Sequence, residues 1–213
     1  MTRLVLASAS PARLATLLSA GIDPTVVVSG VDESGVTETD PARLVSELAR
    51  RKARAVRERL RHDPDRTGWV LGCDSMLALD GDVLGKPRDA ADAVRQWQRM
   101  RGRSGVLHTG HCLVDLSSDT ELARGAATTV HFAAVSDEEV EAYVATGEPL
   151  AVAGAFTVDG YGGAFVTGIE GDHHNVVGLS LPLLRRMFAE LGVAWTTLWR
   201  PVVRDVPALR EPP

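Results

Sequence analysis

An acidic residue, Asp74, interrupts the apolar stretch from Trp69 to Leu79. If this stretch is a strand, alternate side chains share a face, and Asp74 then lies beside Val70 and Met76. An ionised carboxylate on such a face is costly unless a cation, a metal ion or water meets it. Two interpretations stay open for this residue alone: a structural aspartate that accepts backbone hydrogen bonds, and a catalytic carboxylate.

A lysine occupies an apolar stripe in the segment that follows Asp40. The stripe consists of residues four apart, with Lys52 in the middle: Leu44, Leu48, Val56 and Leu60. In a helix these positions share one face, so Lys52 either extends past the core to solvent or points into a cleft. The arginine-rich run around it, residues 50–57, is typical of a solvated helix face. That explanation fits the arginines better than it fits Lys52.

A second lysine follows a hairpin signal. Asp80-Gly81 favours a tight turn between two strands, and Leu84-Gly85-Lys86-Pro87 comes directly after it. This run is not a P-loop, because the required glycine spacing and the following Ser or Thr are absent. A Gly-Lys-Pro turn is common by itself. The hairpin nevertheless ties Lys86 to the strand of Asp74 and predicts one site for both.

The N-terminal segment favours the binding of an anion. Residues 8–13, Ser-Ala-Ser-Pro-Ala-Arg, join a strand end, a turn of small residues and a helix start. Free backbone N–H groups at a helix start attract negative charge, and Arg13 adds donors suited to phosphate. An ordinary helix cap with a surface arginine is the alternative. Glu33, in a loop after the second predicted strand, would complete a carboxylate pair with Asp74 for a divalent ion.

Other polar residues are weaker candidates. His108 and His111 are three apart in a predicted strand, so they point to opposite faces and do not chelate one metal ion. His173 and His174 are adjacent in a predicted loop, where hydrogen bonding is the more ordinary role. Ser10 lacks a recognisable His and Asp partner for nucleophilic catalysis.

The elements that position these residues alternate between strand and helix patterns, which predicts a layered α/β fold. Predicted strands cover residues 4–7, 25–29, 69–79, 82–84, 106–116, 122–135 and about 164–169. Predicted helices cover residues 11–21, 41–60, 89–102, 136–147 and 181–191. Ser10-Pro11 and Asp40-Pro41 are typical helix starts. We expect the Trp- and Pro-rich tail to pack back on the body or to form a subunit contact.

Composition limits the class of protein. Of 213 residues, 45% are hydrophobic and 24% are charged, which is typical of a globular protein with a sizeable core. The formal net charge of -5 gives no global positive field for a nucleic acid or an anionic membrane. No stretch approaches the roughly 20 apolar residues of a membrane span. Cys73 and Cys112 are too few for a disulfide framework, so we expect buried thiols in a cytoplasmic protein.

Several motifs, in this order along the chain, resemble the Maf family. They are residues 4–13, Val31-Asp32-Glu33, Gly72-Cys73-Asp74-Ser75, residues 80–87 and Asn175-Val176-Val177-Gly178-Leu179. The similarity extends from about Leu4 to Leu191. Separate motifs in the right order are more specific than any one of them.

The resemblance implies a two-lobed α/β fold with an elongated mixed β-sheet and a central cleft. We expect one domain over residues 1–213, with residues 192–213 as a C-terminal tail. It also implies a homodimer that uses Mg²⁺ or Mn²⁺ to hydrolyse nucleoside triphosphates to monophosphates and pyrophosphate, in a family associated with cleansing of the nucleotide pool and with septum formation in cell division. Carried over by position, Asp74 is the catalytic carboxylate and binds the metal ion with Glu33. The substrate-binding residues are then Ser8, Arg13, Lys52, Ser75, Lys86 and Asp159.

Two positions depart from the pyrimidine-preferring members of the family. Where that subgroup has Gly-Ile-Gln-Gly, this chain has Thr157-Val158-Asp159-Gly160, and Ser75 stands where the subgroup has Thr. An ionised Asp159 does not donate hydrogen bonds as an amide does. The base preference of the subgroup is therefore not carried over to this chain.

The expected reaction is an in-line attack of water on the α-phosphorus, with Asp74 as general base. Lys52, Lys86 and Arg13 would neutralise the phosphates, and such cations predict a low pKa for Asp74. Two alternatives remain open. One is a non-catalytic, nucleotide-sensing regulator of cell division, and the other is a phosphatase that releases orthophosphate.

Overall fold

The computed structural model describes residues 2–33, 35–118 and 120–200. The strands are β1 (Leu4–Leu6), β2 (Thr25–Val26), β3 (Trp69–Leu79), β4 (Asp82–Leu84), β5 (Ser104–Asp115), β6 (Glu121–Phe132) and β7 (Val166–Glu170). The α-helices are α1 (Pro11–Ser19), α2 (Pro41–Arg59), α3 (Ala90–Met100), α4 (Asp137–Ala145), α5 (His173–Val177) and α6 (Leu181–Glu190). Short 3-10 turns join several of them.

One mixed sheet of seven strands runs through the described part of the chain, which confirms the predicted fold class. The strand order is β2-β1-β3-β5-β6-β7, and β4 pairs with β3 beside this path. β1 is parallel to both β2 and β3, whereas all other pairs are antiparallel. The β3–β4 hairpin turns through Asp80 and Gly81, whose φ angles of 53° and 86° match the tight turn that the sequence predicted.

The edge of β3 has two different partners. β1 pairs with its first three residues, Trp69–Leu71, and β4 pairs with its last three, Leu77–Leu79. Among the described residues, no strand pairs with residues 72–76 on this edge. The opposite edge of β3 is paired with β5 along this length. Residues 72–76, here called the β3 gap, therefore form an opening between the two ends of the sheet.

The five helices that the sequence predicted begin within one residue of the predicted start, and helices pack on both faces of the sheet. Ser10, Asp40 and Asp89 each accept a hydrogen bond from the backbone three residues later, and Ser136 forms a capping box with Glu139. At the β1 end, one apolar cluster lies between the sheet and α1 and α6, and another lies between the sheet and α2. At the β4 end, a third cluster includes α3 and α4. The first two clusters lie in one lobe, here called the β1 lobe, and the third lies in the other lobe.

Two segments differ from the sequence prediction, and the described part of the tail agrees with one of the two arrangements expected for it. The second strand has only two residues, Thr25–Val26, instead of five. His173 begins the short helix α5, which was predicted as loop; Asp172 caps it and Gly178 ends it with a φ of 115°. The described part of the tail packs back on the body, because Thr197 O accepts from Thr2 N–H and Leu198 is buried.

The remaining tail residues, 201–213, lie outside the described residues. Within the described part of the chain, no helix has both the length and the apolar character needed to cross a membrane.

Candidate active site

Asp74 lies in the β3 gap and is only 5% exposed. Two glycines on the same face bring helix α2 against it. A Cβ at Gly72 would lie 2.2 Å from Ala49 O, and a Cβ at Gly110, the β5 partner of Asp74, would lie 2.2 Å from Val45 O. Glycine in a strand interior often marks such a close backbone approach. The helix therefore sits directly above the carboxylate.

Lys52 comes from this helix and joins two carboxylates. Its Nζ lies 2.5 Å from Asp74 Oδ1 and 2.7 Å from Glu33 Oε1. The Lys52 and Asp74 side chains are 12% and 8% exposed, whereas Glu33 is 47% exposed. Of the two directions that the sequence left open for Lys52, the structure shows the one that points into the cleft.

Burial dominates the charge state of Asp74. Removal from water raises the pKa of its carboxyl above the usual value, and this effect exceeds the opposing attraction of Lys52 and Arg13. Nearby Glu33 raises the pKa further. The sequence-based expectation of a low pKa is therefore wrong, because it counted the cations without the desolvation. A raised pKa makes this carboxylate a stronger base than an exposed aspartate.

Arg13 reaches the β3 gap from the start of α1, on the other side of the sheet from Lys52. Its Nε donates to Gly178 O at 2.8 Å, and its Nη1 donates to Cys73 O at 3.0 Å and to Ser8 Oγ at 3.2 Å. Its Nη2 donates to Ser75 Oγ at 3.0 Å. All four acceptors are uncharged, and Arg13 forms no ion pair within the described residues. Its positive charge is thus held in place by neutral groups, and among the described residues no carboxylate pairs with it directly.

The backbone of the β3 gap explains part of this arrangement. In a strand, the polar groups of alternate residues point to the same edge. Leu71 O accepts from Ala7 N–H at 2.8 Å on the β1 edge, so the backbone groups of Cys73 and Ser75 point into the gap. Arg13 takes up the free carbonyl of Cys73. Ser8, two residues after the end of β1, is 7% exposed and completes the same corner.

Among the described residues, no hydrogen bond or ion pair joins Asp74 to Lys86 or Asp159, the two other residues expected in the site. Lys86 is exposed and forms no hydrogen bond or ion pair with the described residues. The hairpin fixes its backbone, but not the direction of a side chain that lies beyond the last residue of β4. Asp159 is also exposed. Its loop is held from below by Glu148, which accepts from Thr157 Oγ1 and from the N–H groups of Tyr161 and Gly162.

The donor set for a divalent ion consists of Asp74 and Glu33. Asp74 Oδ2 is buried and has no hydrogen-bond partner among the described residues, so its lone pairs remain available. Glu33 is half exposed at the mouth of the same cleft. Within the described residues, no group of three or more His, Cys, Asp or Glu side chains could hold a metal ion. Any ion here would need further ligands from substrate or water.

The histidines and cysteines have structural surroundings. His111 is fully buried and accepts from Ser180 N–H through Nε2 at 2.9 Å, and burial lowers its pKa to about 3. His108 is the partner of Met76 in β3 and lies on the other face, as the sequence predicted. Burial raises the pKa of Cys73 and Cys112 to about 12, and they belong to different apolar clusters. The expectation of free, buried thiols is confirmed.

Sequence reasoning missed the residues that hold Arg13 and Ser75. Thr109 is fully buried and bonds to Ser75 Oγ, and the carbonyl of Gly178 accepts from Arg13. A threonine in a strand looks like any other β-branched residue, and a carbonyl leaves no mark in the sequence. Gly72 and Gly110 were the one available signal, because glycines inside predicted strands indicate that another backbone comes close.

Comparison with known proteins assigns the chain to a family. A family model described as "Maf-like protein" matches residues 3–191. A Salinispora tropica protein named nucleoside triphosphate pyrophosphatase is 63% identical over 197 residues, covering 92% of this chain and 87% of the relative. Proteins of the same name from Streptomyces coelicolor and Trichormus variabilis are 54% and 49% identical, covering 93% of this chain in each case and 95% and 98% of the relatives. The family model covers most of the chain and the relatives are about half identical or more, so the chain belongs to the Maf family.

Proposed function

We propose that this protein hydrolyses nucleoside triphosphates to nucleoside monophosphates and pyrophosphate. The observation that carries this function is a buried carboxylate, Asp74, at a gap in the sheet with a cation on each side, Lys52 and Arg13. A polyanion that entered the gap would meet both cations and the carboxylate together. The name of the relatives, nucleoside triphosphate pyrophosphatase, supports the same reaction.

The proposed chemistry is attack of water on the α-phosphorus. Asp74 accepts a proton from the water, a new P–O bond forms, and the bond from the α-phosphorus to the bridging oxygen breaks so that pyrophosphate leaves. The raised pKa of Asp74 suits a general base, because proton transfer is most effective when the pKa lies near the working pH. Lys52 and Arg13 stabilise the negative charge that develops on the phosphate oxygens.

We infer a requirement for Mg²⁺ or Mn²⁺, held by Asp74 and Glu33. The unpartnered Oδ2 of Asp74 and the half-exposed carboxylate of Glu33 are hard oxygen ligands of the kind these ions prefer. Two carboxylates with ligands from phosphate and water are a usual arrangement for Mg²⁺ beside a nucleotide. When bound, the ion would neutralise phosphate charge and lower the pKa of a coordinated water.

A product analysis tests the reaction. The purified protein is incubated with Mg²⁺ or Mn²⁺ and each nucleoside triphosphate, methylated bases included, and pyrophosphate and orthophosphate are measured separately. Pyrophosphate supports the proposed function. Orthophosphate alone indicates a phosphatase, and no product from any nucleotide supports a non-catalytic regulator of cell division.

Asp74→Asn tests the assignment of the base. The amide keeps the shape of the side chain but does not accept a proton, so we expect pyrophosphate release to fall by about 100- to 10,000-fold. The matched control is Asp82→Asn, which changes an exposed carboxylate at the start of β4 and should leave the rate unchanged. Near-normal release by Asp74→Asn would show that another group activates the water.

The same panel of nucleotides measures which base the protein prefers. Ser75 lies in the β3 gap, and Asp159 is an exposed acid on the loop held by Glu148. We infer that Lys86 and Asp159 contact the nucleotide only outside the corner formed by Asp74 and Arg13. The substrate is the nucleotide for which the panel gives the highest kcat/KM.

We further infer a cytoplasmic homodimer that binds neither nucleic acid nor membrane, with a connection to cell division in keeping with the family. The net charge of -5 weighs against a polyanionic partner larger than the substrate. Four large apolar side chains of the β1 lobe are exposed and support a subunit contact there: Leu18, Val26, Val28 and Trp199.

A further inference from the structure

A chain of hydrogen bonds leads from Arg13 into the protein. Arg13 Nη2 donates to Ser75 Oγ at 3.0 Å, the hydroxyls of Ser75 and Thr109 are 3.0 Å apart, and Thr109 Oγ1 donates to Asn175 O at 3.1 Å. Both ends of this chain are of fixed polarity, because a guanidinium only donates and a carbonyl only accepts. The proton of Thr109 is therefore used on Asn175 O. It follows that the hydroxyl of Ser75 donates to Thr109.

Arg13 has a second hydrogen bond to the region around helix α5. Arg13 Nε donates to Gly178 O, the residue that ends helix α5, at 2.8 Å. Asn175 lies in that helix and is fully buried, and its Nδ2 donates to Leu107 O at 3.1 Å and to Thr128 Oγ1 at 3.0 Å. Two independent routes thus connect the guanidinium to one short helix, which Asn175 in turn anchors to β5 and β6.

Packing alone does not require a hydroxyl group at position 109, because a methyl group would fill the same space. Thr109 is fully buried in the middle of β5, where valine has the same branched shape and a strong preference for strands. Burying a hydroxyl is costly unless it is hydrogen-bonded, and here its two partners are Ser75 and Asn175. The hydroxyl therefore connects the β3 gap to α5.

We propose that Thr109 and Asn175 are positioning residues of the nucleotide site, which hold Arg13 towards the β3 gap and fix Ser75 as a hydrogen-bond acceptor. As a statement about nucleotides this rests on the function proposed above. The proton of Ser75 is committed to Thr109, so Ser75 offers the ligand a lone pair and no donor. Ser75 then accepts from an N–H or O–H group of the nucleotide and does not bind a phosphate oxygen.

Thr109→Val cuts the chain, and Thr109→Ser keeps the hydroxyl. We expect kcat/KM for nucleoside triphosphate hydrolysis to fall about tenfold in Thr109→Val and to stay within about twofold of wild type in Thr109→Ser. Thr129→Val is the matched control, since this residue lies on neighbouring β6 and its hydroxyl forms no hydrogen bond within the described residues. In an Arg13→Lys background, Thr109→Val should cost less than about twofold more, because the group it positions is already gone. Full multiplication of the two losses would overturn the inference.

A second measurement follows the hydrogen exchange of the Arg13 side chain and does not depend on enzymatic activity. The Arg13 Nε–H signal, assigned by its loss in Arg13→Lys, is followed by nitrogen NMR. We expect its hydrogen exchange to be about tenfold faster in Thr109→Val than in wild type, and unchanged in Thr109→Ser and Thr129→Val. If Thr109→Val does not fold, Ser75→Ala breaks the chain at the next link and should give the same acceleration.

The two measurements separate the two claims. If the wild type releases no pyrophosphate from any nucleotide, the proposed function fails, and the exchange of Arg13 still decides whether Thr109 positions it. If the wild type is active but Thr109→Val changes neither the exchange nor kcat/KM, the positioning role is wrong while the proposed function stands.

Discussion

The charged residues of the site are only partly compensated by the opposite charges next to them. Lys52 lies between Asp74 and Glu33, and Asp74 keeps a raised pKa in spite of it. Buried ion pairs contribute little net stability, but the loss of one partner leaves an uncompensated charge and is strongly destabilising. The stability of this corner therefore depends on Lys52 in a way that changes with pH.

Lys52→Met should destabilise the protein at pH 8 by about 3–5 kcal/mol, because it leaves the Asp74 carboxylate buried without its nearest cation. Loss of Lys52 raises the pKa of Asp74 further. A carboxyl with a raised pKa in the folded state stabilises the fold most below its unfolded pKa, and that stability is lost as the pH rises. The defect should therefore shrink from pH 8 to pH 5, as measured by urea denaturation.

The control for Lys52→Met is Arg51→Met on the same helix. The ion pair of Arg51 with Glu47 is exposed, so its loss should cost about 0–0.5 kcal/mol at either pH. An equal loss of stability at both pH values in Lys52→Met would mean that Asp74 does not carry the effect.

At the scale of single residues, the sequence predicted those site residues that stand out from their surroundings, such as a charged residue on an apolar face. Asp74 and Lys52 were found because each interrupts an apolar face, and Arg13 because it follows a helix start. The pKa of Asp74 could not be predicted, since desolvation depends on how closely α2 packs. Thr109 was missed because a buried hydroxyl has the same strand preference as valine.

Among the elements, the positions of most strands and of the helices longer than two turns agree closely with the positions predicted from the sequence. Apolar alternation, the Asp80-Gly81 turn and side-chain caps fix β3, β4 and α2 locally, so their predicted bounds agree with the structure. β2 and α5 were not predicted well, because two strand residues or five helical residues carry too little pattern. Both depend on tertiary contacts instead.

The contact between β5 and α6 predicts a loss of stability in acid. His111 in β5 accepts from Ser180, which caps α6, so its Nε2 must be unprotonated. Its pKa is about 3 in the folded protein against 6.5 for an ordinary histidine, so protons bind the unfolded chain first as the pH falls. Stability from His111 is present above pH 6.5 and declines by about 1.4 kcal/mol per pH unit below it.

His111→Gln removes this titration, and its urea denaturation should depend less on pH between 6.5 and 4.5 than that of wild type. His62→Gln is the control, because His62 is exposed. If both variants keep the wild-type slope, His111 does not titrate on unfolding.

At the scale of the whole molecule, one sheet holds two lobes with separate apolar clusters. The exposed apolar side chains of the β1 lobe lie on β2 and just after it, near the end of α1 and at Trp199, whose ring would lie 3.6 Å from a Cβ added at Gly21. β2 is also an outer strand of the sheet. A second copy of the chain that packed there would cover these side chains.

Light scattering should therefore give a mass of twice 22.7 kDa. The double variant Val26→Lys, Val28→Lys places charges on the same surface and should shift the protein towards monomer at equal concentration. Glu141→Lys, an exposed change on α4 in the other lobe, should leave the mass as it is. A monomeric wild type would remove the basis for a dimer.

The β3 gap leaves a short length of strand edge unpaired, and such an edge is also a place where a foreign strand could pair. Arg13 already occupies the carbonyl of Cys73 on this edge, and Lys52 and Asp74 put charges beside it. An extended peptide would have to displace Arg13 and bury its own backbone next to those charges. The groups proposed to receive phosphates therefore also protect the opening against aggregation through β-strand pairing.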